Sequence, residues 1–181
     1  MLDGNRTEAQ FNRIDTVLKI GKVGYHVRCT NKNADKNELT IKPLGFDNSA
    51  HELDFYIKGK ISRLDIDDLN NDSYPDLIIY LYTGIDGVFG TVYAFMSSEN
   101  KSIMAVALPD AMLDGKIKDG YRGHDQFSLL EGLLMQEFPI YKPDDEKDKP
   151  TGGKRFVQYQ VVSTGDGGFK FKIIRIYETK G

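Results

Sequence analysis

Cysteine occurs once in this 181-residue sequence, at Cys29, so no intrachain disulfide framework is available. Cys29 lies in GYHVRCTNK, a strand-like run with no catalytic signature around it. It reads as a small buried hydrophobe rather than a reactive thiol. Long apolar runs are lacking as well: no window approaches the roughly 18 residues that span a bilayer as a helix. The opening MLDGNRTEAQ is polar from its third residue and shows no signal-peptide pattern. That fits either a cytoplasmic protein or the mature part of an exported one. An excess of basic charge is also missing, since 24 Lys and Arg against 27 Asp and Glu leave a net charge of -3. This excludes the electrostatic footprint of nucleic-acid binding and mildly favours a basic partner. No Gly-rich phosphate loop follows a strand and opens a helix, which disfavours nucleotide binding. His26, His51 and His124 are too scattered for a zinc site. No Ser or Cys nucleophile motif is visible, so the chain reads as a non-enzyme with no catalytic residue assigned.

What the chain does have is a succession of short strand-like runs divided by turn signals. Hydrophobic residues make up 40%, enough for one substantial core, and the length suits a single domain over 1–181. YHVRCT and ELTIKPLGF predict a hairpin around NKNADKN. LDFYIKGKISRLDI alternates in places. DLIIYLYT is continuously apolar, as a strand covered on both faces would be. GTVYAFMSS and SIMAVALP flank the polar turn SENK. FSLLEGLLMQEFPIY predicts two strands across a turn at Glu131-Gly132, although its leucines also fit helical spacing. KPDDEKDKPTGGKR, 142–155, predicts an exposed, mobile polar loop. RFVQYQVVS and FKFKIIRIYE close the chain as a hairpin in which Phe169, Phe171 and Ile173 share the buried face. Helix is confined at best to TEAQFNRIDTVLKI near the start. The class is all-β: an antiparallel β-sandwich or flattened barrel of about eight or more strands with little helix.

The segment DIDDLNNDSYPDL is crowded with carboxylates. With Asp68 as position one, Asn70, Asp72 and Asp76 fall at three, five and nine, the alternation of oxygen ligands that calcium takes. The segment departs from an EF-hand, because Ser73 stands where the sharp turn needs Gly and Ile79 where a bidentate Glu is needed. It also resembles the calcium loop of FG-GAP repeats of β-propellers, which occur in several copies where this chain has one. The reading that the residues favour is a polar turn. Asn70, Asn71 and Asp72 tolerate left-handed backbone, and Pro75 starts the strand that follows. Calcium at Asp68, Asn70, Asp72 and Asp76 is the alternative, and no other cofactor is implied. Catalytic carboxylates would need a partly apolar pocket to raise one pKa. Asp65 and Asp67 share one face of the preceding strand, where solvent is expected.

The loop after the apolar run, YTGIDGVFGTVYAF, carries Gly84, Gly87 and Gly90. These free the backbone to project a loop between two strands, with Phe89 at its tip as a binding anchor or folded back on the core. Thr83, Gly84, Asp86, Gly87, Phe89 and Gly90 are the candidate partner-binding residues. His124 and Asp125, in GYRGHDQF, are expected to hydrogen-bond backbone and brace a tight crossover, while Tyr121, Arg122 and His124 line a secondary surface.

From Lys60 to Tyr141, the segments GKISRLDIDDLNNDSYPDLIIYLYTG, GTVYAF, VALP, GYRGHDQF and FPIY together resemble the periplasmic inhibitors of invertebrate-type lysozymes. That family combines a D-L-N-x-D turn, a Ser-Gly-x-Tyr loop, a G-Y-x-G-H-D-x-F segment and F-P-x-Y. The resemblance implies an all-β fold, a periplasmic or envelope location, and a non-enzymatic function in which the loop enters a lysozyme cleft. By position, Asp86 falls on the family Ser, Gly87 on the Gly and Phe89 on the Tyr. A serine hydroxyl can donate to a catalytic carboxylate, whereas an ionised Asp only accepts. Phe89 keeps the ring and loses the phenol. The implied partner is a protein, a lysozyme by this resemblance, and a homodimer is compatible with the sequence. The alternative is a structural or carbohydrate-contacting surface module with a calcium-binding turn at 68–76.

Overall fold

The computed structural model describes residues 13–84 and 86–180. Over these the chain forms twelve strands in three antiparallel meanders, with no helix among the described residues. The first sheet contains β1 (Ile14–Ile20), β2 (Val23–Cys29), β3 (Asn37–Leu44) and β4 (Leu53–Ile57). The second contains β5 (Lys60–Asp67), β6 (Asp76–Thr83), β7 (Phe89–Ser98) and β8 (Ser102–Ala107). The third contains β9 (Gln126–Leu130), β10 (Leu133–Pro139), β11 (Lys154–Ser163) and β12 (Phe169–Thr179). Within each sheet, neighbours in sequence are neighbours in space, and the longest connection inside a sheet is the polar loop between β10 and β11.

The second sheet is shared by two cores. Leu77, Ile79 and Leu81 of β6 pack with Tyr25, Val27, Leu39 and Ile41 of the first sheet. Ile78 and Tyr80, on the opposite face, pack with Leu134, Phe138, Val157 and Tyr159 of the third. This is why DLIIYLYT lacks polar alternation: six consecutive residues, Asp76 to Leu81, are buried. Each apolar side chain fully withdrawn from water there contributes about 1.5–3 kcal/mol. The sheets stay open, so the sandwich form holds and the flattened barrel does not. Cys29 is buried in the first core, and burial pushes its thiol pKa up.

The turns follow local chemistry. Glu131 and Gly132 take φ of 50° and 73°, and Glu99 and Asn100 take 52° and 56°, the paired left-handed residues of tight hairpins. LDFYIKGKISRLDI contains two strands, β4 and β5, which belong to different sheets. The helix expected near the start is corrected over its visible part: Ile14–Ile20 is β1, paired with β2 from Ile14↔Cys29 to Ile20↔Val23. Residues 7–12 of that expectation lie outside the described residues. The half-buried Ile14 and Leu18 are four apart, a spacing shared by one helix face and one strand face, so pairing decided between them. Asp65 and Asp67 are half-buried rather than fully in solvent, and Asp65 pairs with Arg63 at 3.1 Å.

Candidate functional site

The acidic segment closes on itself. Asp68 accepts from the backbone N–H groups of Asp72 (3.0 Å) and Ser73 (2.8 Å). Asp72 accepts from Tyr74 N (2.9 Å) and from the Asn70 amide (2.8 Å). Asn71 and Ser73 are left-handed, with φ of 57° and 70°. Asp76 is fully buried at the start of β6 and accepts from Leu69 N at 2.9 Å and Ser97 N at 2.8 Å. It therefore fastens the turn to β7. Burial raises its pKa to about 7, against the two amides that favour the anion. One oxygen of the set, Asn70 Oδ1, is buried without a hydrogen-bond partner.

At the other end of β6 the Gly-bounded loop leaves the second sheet at Thr83 and returns at Phe89. Gly87 N donates to Gly84 O at 3.1 Å, closing a turn that stands out from the sheet. Phe89 is 37% exposed. Its ring lies between Gly84, on the Cδ2–Cε2 edge, and Gly123, on the Cδ1 side, and its centroid is 6.1 Å from that of Tyr121. Phe89 is the first residue of β7 and pairs with Thr83, so it stands at the foot of the loop rather than at the tip expected for it, held in place while still partly exposed.

What holds the loop base is Asp125, 3% exposed. Its Oδ2 accepts from Gly90 N (2.7 Å) and from the Tyr121 hydroxyl (2.6 Å), and its Oδ1 accepts from Gln136 Nε2 (2.7 Å). Gln136 Oε1 in turn accepts from the Tyr159 hydroxyl at 2.8 Å. Tyr82 donates to the Asp125 carbonyl at 2.8 Å. The chain of bonds runs from the loop through β10 to β11. Burial raises the Asp125 pKa while its three donors oppose the rise. The expectation that Asp125 bonds backbone and braces a crossover is met at Gly90. His124 contributes through its backbone, whose N–H donates to Val88 O at 2.6 Å with φ of 62°.

The secondary surface needs correcting. Tyr121 is 7% exposed, because its ring is packed edge-on to Phe138 and its hydroxyl is spent on Asp125. Arg122 is exposed but committed: it donates to the carbonyls of Asp145 (3.0 Å) and Lys142 (3.2 Å) and lies over the Tyr141 ring. The His124 ring lies 6.1 Å from that of Tyr141. The polar loop 142–153 folds around Asp145, whose carboxylate accepts from Lys142 N and Thr151 N. It reaches the β6–β7 loop through Lys147, whose Nζ sits 2.6 Å from Asp86 Oδ2 and holds the Asp86 carboxyl below the usual range.

The sequence reading missed Gln136, Tyr159 and Lys147. Gln136 had a signal: it occupies an inward position of β10 between Leu134 and Phe138, where a polar side chain needs partners. Lys147, in a charged run, had none.

A hollow of about 440 Å³ lies beside Phe89, lined also by Thr91, Tyr93, Asp110, Met112 and Tyr121. It opens where β8 stops. Leu108 N still donates to Val92 O at 2.8 Å, but Pro109 has no N–H and the chain turns away. Gly90, two residues before Val92 on the same strand side, receives the Asp125 carboxylate in place of a strand partner.

A scan against protein-family models finds no match to this chain, and searches of curated proteins and of solved structures find no significant match. The inhibitor resemblance rests on the residues quoted for it.

Proposed function

We propose that the protein is a non-enzymatic binding protein of the cell envelope that inserts its 83–91 loop into the cleft of a protein partner, as invertebrate-type lysozyme inhibitors do. The observation that carries this reading is the braced loop base: an exposed aromatic, Phe89, at the foot of the loop, on a strand tied by Asp125 to the third sheet. A loop whose base is held before binding loses less entropy on association. The Asp86–Lys147 pair supports it too. Asp86 alone would be repelled by the acidic pair of a lysozyme cleft, and Lys147 offsets that charge at the tip. The test is an invertebrate-type lysozyme assay with micromolar protein. Slowed hydrolysis, weakened by Phe89→Ala, supports the reading. No effect on lysozymes of several types overturns the inhibitory role.

A second reading, a surface module with calcium at 68–76, has one observation in its favour. Asn70 Oδ1 is buried and unpartnered beside the Asp72 carboxylate. Adding about 1 mM calcium to chelator-treated protein tests it, since a ligand that binds only the folded state raises Tm. An unchanged Tm removes this reading.

A further inference from the structure

We propose that the hollow beside Phe89 binds a neutral saccharide. Its volume, about 440 Å³, falls within the usual range for small-ligand sites, roughly 300–1,000 Å³. It exists because Pro109 ends the β8 ladder while β7 continues, so the opening is a product of the backbone rather than of a loose side chain. Its floor is rigid. Gln136 has one amide end on Asp125 and the other on Tyr159, and Tyr121 is bonded to Asp125.

The lining combines aromatic surface with uncommitted hydroxyl chemistry. Phe89 is partly exposed at the mouth and Tyr93 is half-buried along one wall. Among the described residues, the Thr91 and Tyr93 hydroxyls make no side-chain hydrogen bond, and Asp110 uses only Oδ1, on Met112 N at 2.8 Å. Hydroxyls both donate and accept, and a carboxylate oxygen accepts. That set matches the alternating donors and acceptors of a sugar, whose C–H face can lie on an aromatic ring. Asp110 is the one charged residue of the lining, and no Lys, Arg or His is among it. A phosphate or carboxylate ligand would therefore meet repulsion with no countercharge. The lining also holds no activated nucleophile, so the site is one of binding.

This inference stands apart from the lysozyme reading, and Thr91 separates the two because it lies within the β7 ladder, opposite Leu81, and lines the hollow rather than the exposed turn at Gly84–Gly87. The experiment is amide NMR of the full chain with chitotriose, cellotriose and maltotriose, each at about 10 mM, above a Kd on the order of 1 mM. The expected result is saturable shifts at Gly90, Thr91 and Met112 with at least one of them. Thr91→Val and Phe89→Ala then each weaken binding about 5-fold, the effect of one hydrogen bond or ring contact. Tyr56→Ala, exposed on the first sheet, leaves it unchanged. The proposal is overturned by the absence of saturable shifts with all three sugars. It is equally overturned by shifts that survive both hollow variants, or by a response to the polyamine spermidine alone, which would make Asp110 an ammonium site instead.

Discussion

Asp125 Oδ2 accepts a 2.7 Å hydrogen bond from the backbone N–H of Gly90, 35 positions earlier in the chain. A side chain thus takes the place of a strand partner and joins the start of β7 to the third sheet. Asp125→Asn keeps the volume but turns an amide N–H toward one of three donors. We expect a loss of about 2–3 kcal/mol in urea unfolding, the cost of a buried charged acceptor. Tyr121→Phe, which removes one donor, should cost about 1 kcal/mol. Equal stability of Asp125→Asn and the parent protein would refute the brace.

The pH dependence of stability should carry the mark of Asp76. Its folded pKa is about 7 against an ordinary 3.8, because burial outweighs the amides of Leu69 and Ser97. Between those values the folded state keeps a proton that the unfolded state has released, so stability falls as pH rises through this window. The full span is worth on the order of 4 kcal/mol. Asp125, also raised by burial, acts with the same sign. Tm should therefore decline from pH 5 to pH 8, and Asp76→Asn should flatten the decline. A Tm that climbs over this range contradicts the assignment.

Two glycines of the same loop should respond differently. A Cβ on Gly90 would meet Phe127 Cε2 at 2.6 Å and Asp125 Cβ at 2.7 Å, so Gly90→Ala forces packed groups apart at about 1–3 kcal/mol. Gly87 has open space and φ of 64°, so Gly87→Ala costs only the left-handed conformation, about 1–2 kcal/mol. Calorimetry of the two variants should give these losses, and amide NMR should show shifts reaching Asp125 and Phe127 in Gly90→Ala alone. If both variants perturb only their own neighbours, the close approach at Gly90 is not a constraint.

Lys147→Glu separates stability from recognition. The Lys147–Asp86 pair is exposed on both sides, and such pairs contribute little to folding. The unfolding midpoint should hold, whereas association with an acidic cleft should slow by at least about 10-fold at low salt through lost charge complementarity. Unchanged association kinetics would remove Lys147 from the recognition surface.

Much of the fold was legible because its signals are local. Alternation in FKFKIIRIYE, the turn at Glu131-Gly132 and the unbroken apolar run of β6 each depend on neighbours within a few residues. The turn at 68–76 was legible for the same reason, since Asp68, Asp72 and Asn70 bond groups two to five residues away. The first strand was not, because the spacing of Ile14 and Leu18 serves helix and strand alike until β2 lies alongside.

The sequence by itself determined an all-β chain, its hairpins, the doubly covered β6 and a Gly-bounded loop after it, but not that Phe89 pairs with Thr83 at the foot of that loop. Only the tertiary structure decided that the strands form three open sheets with two cores, that Tyr121 is buried, and that Gly90, Tyr121, Gln136 and Tyr159 converge around Asp125. It alone also brought Lys147 to Asp86 across 61 positions. The physical reason is range. Periodicity and turn chemistry record what a residue does with its neighbours, while a buried carboxylate acquires its role from donors that folding carries to it from distant strands.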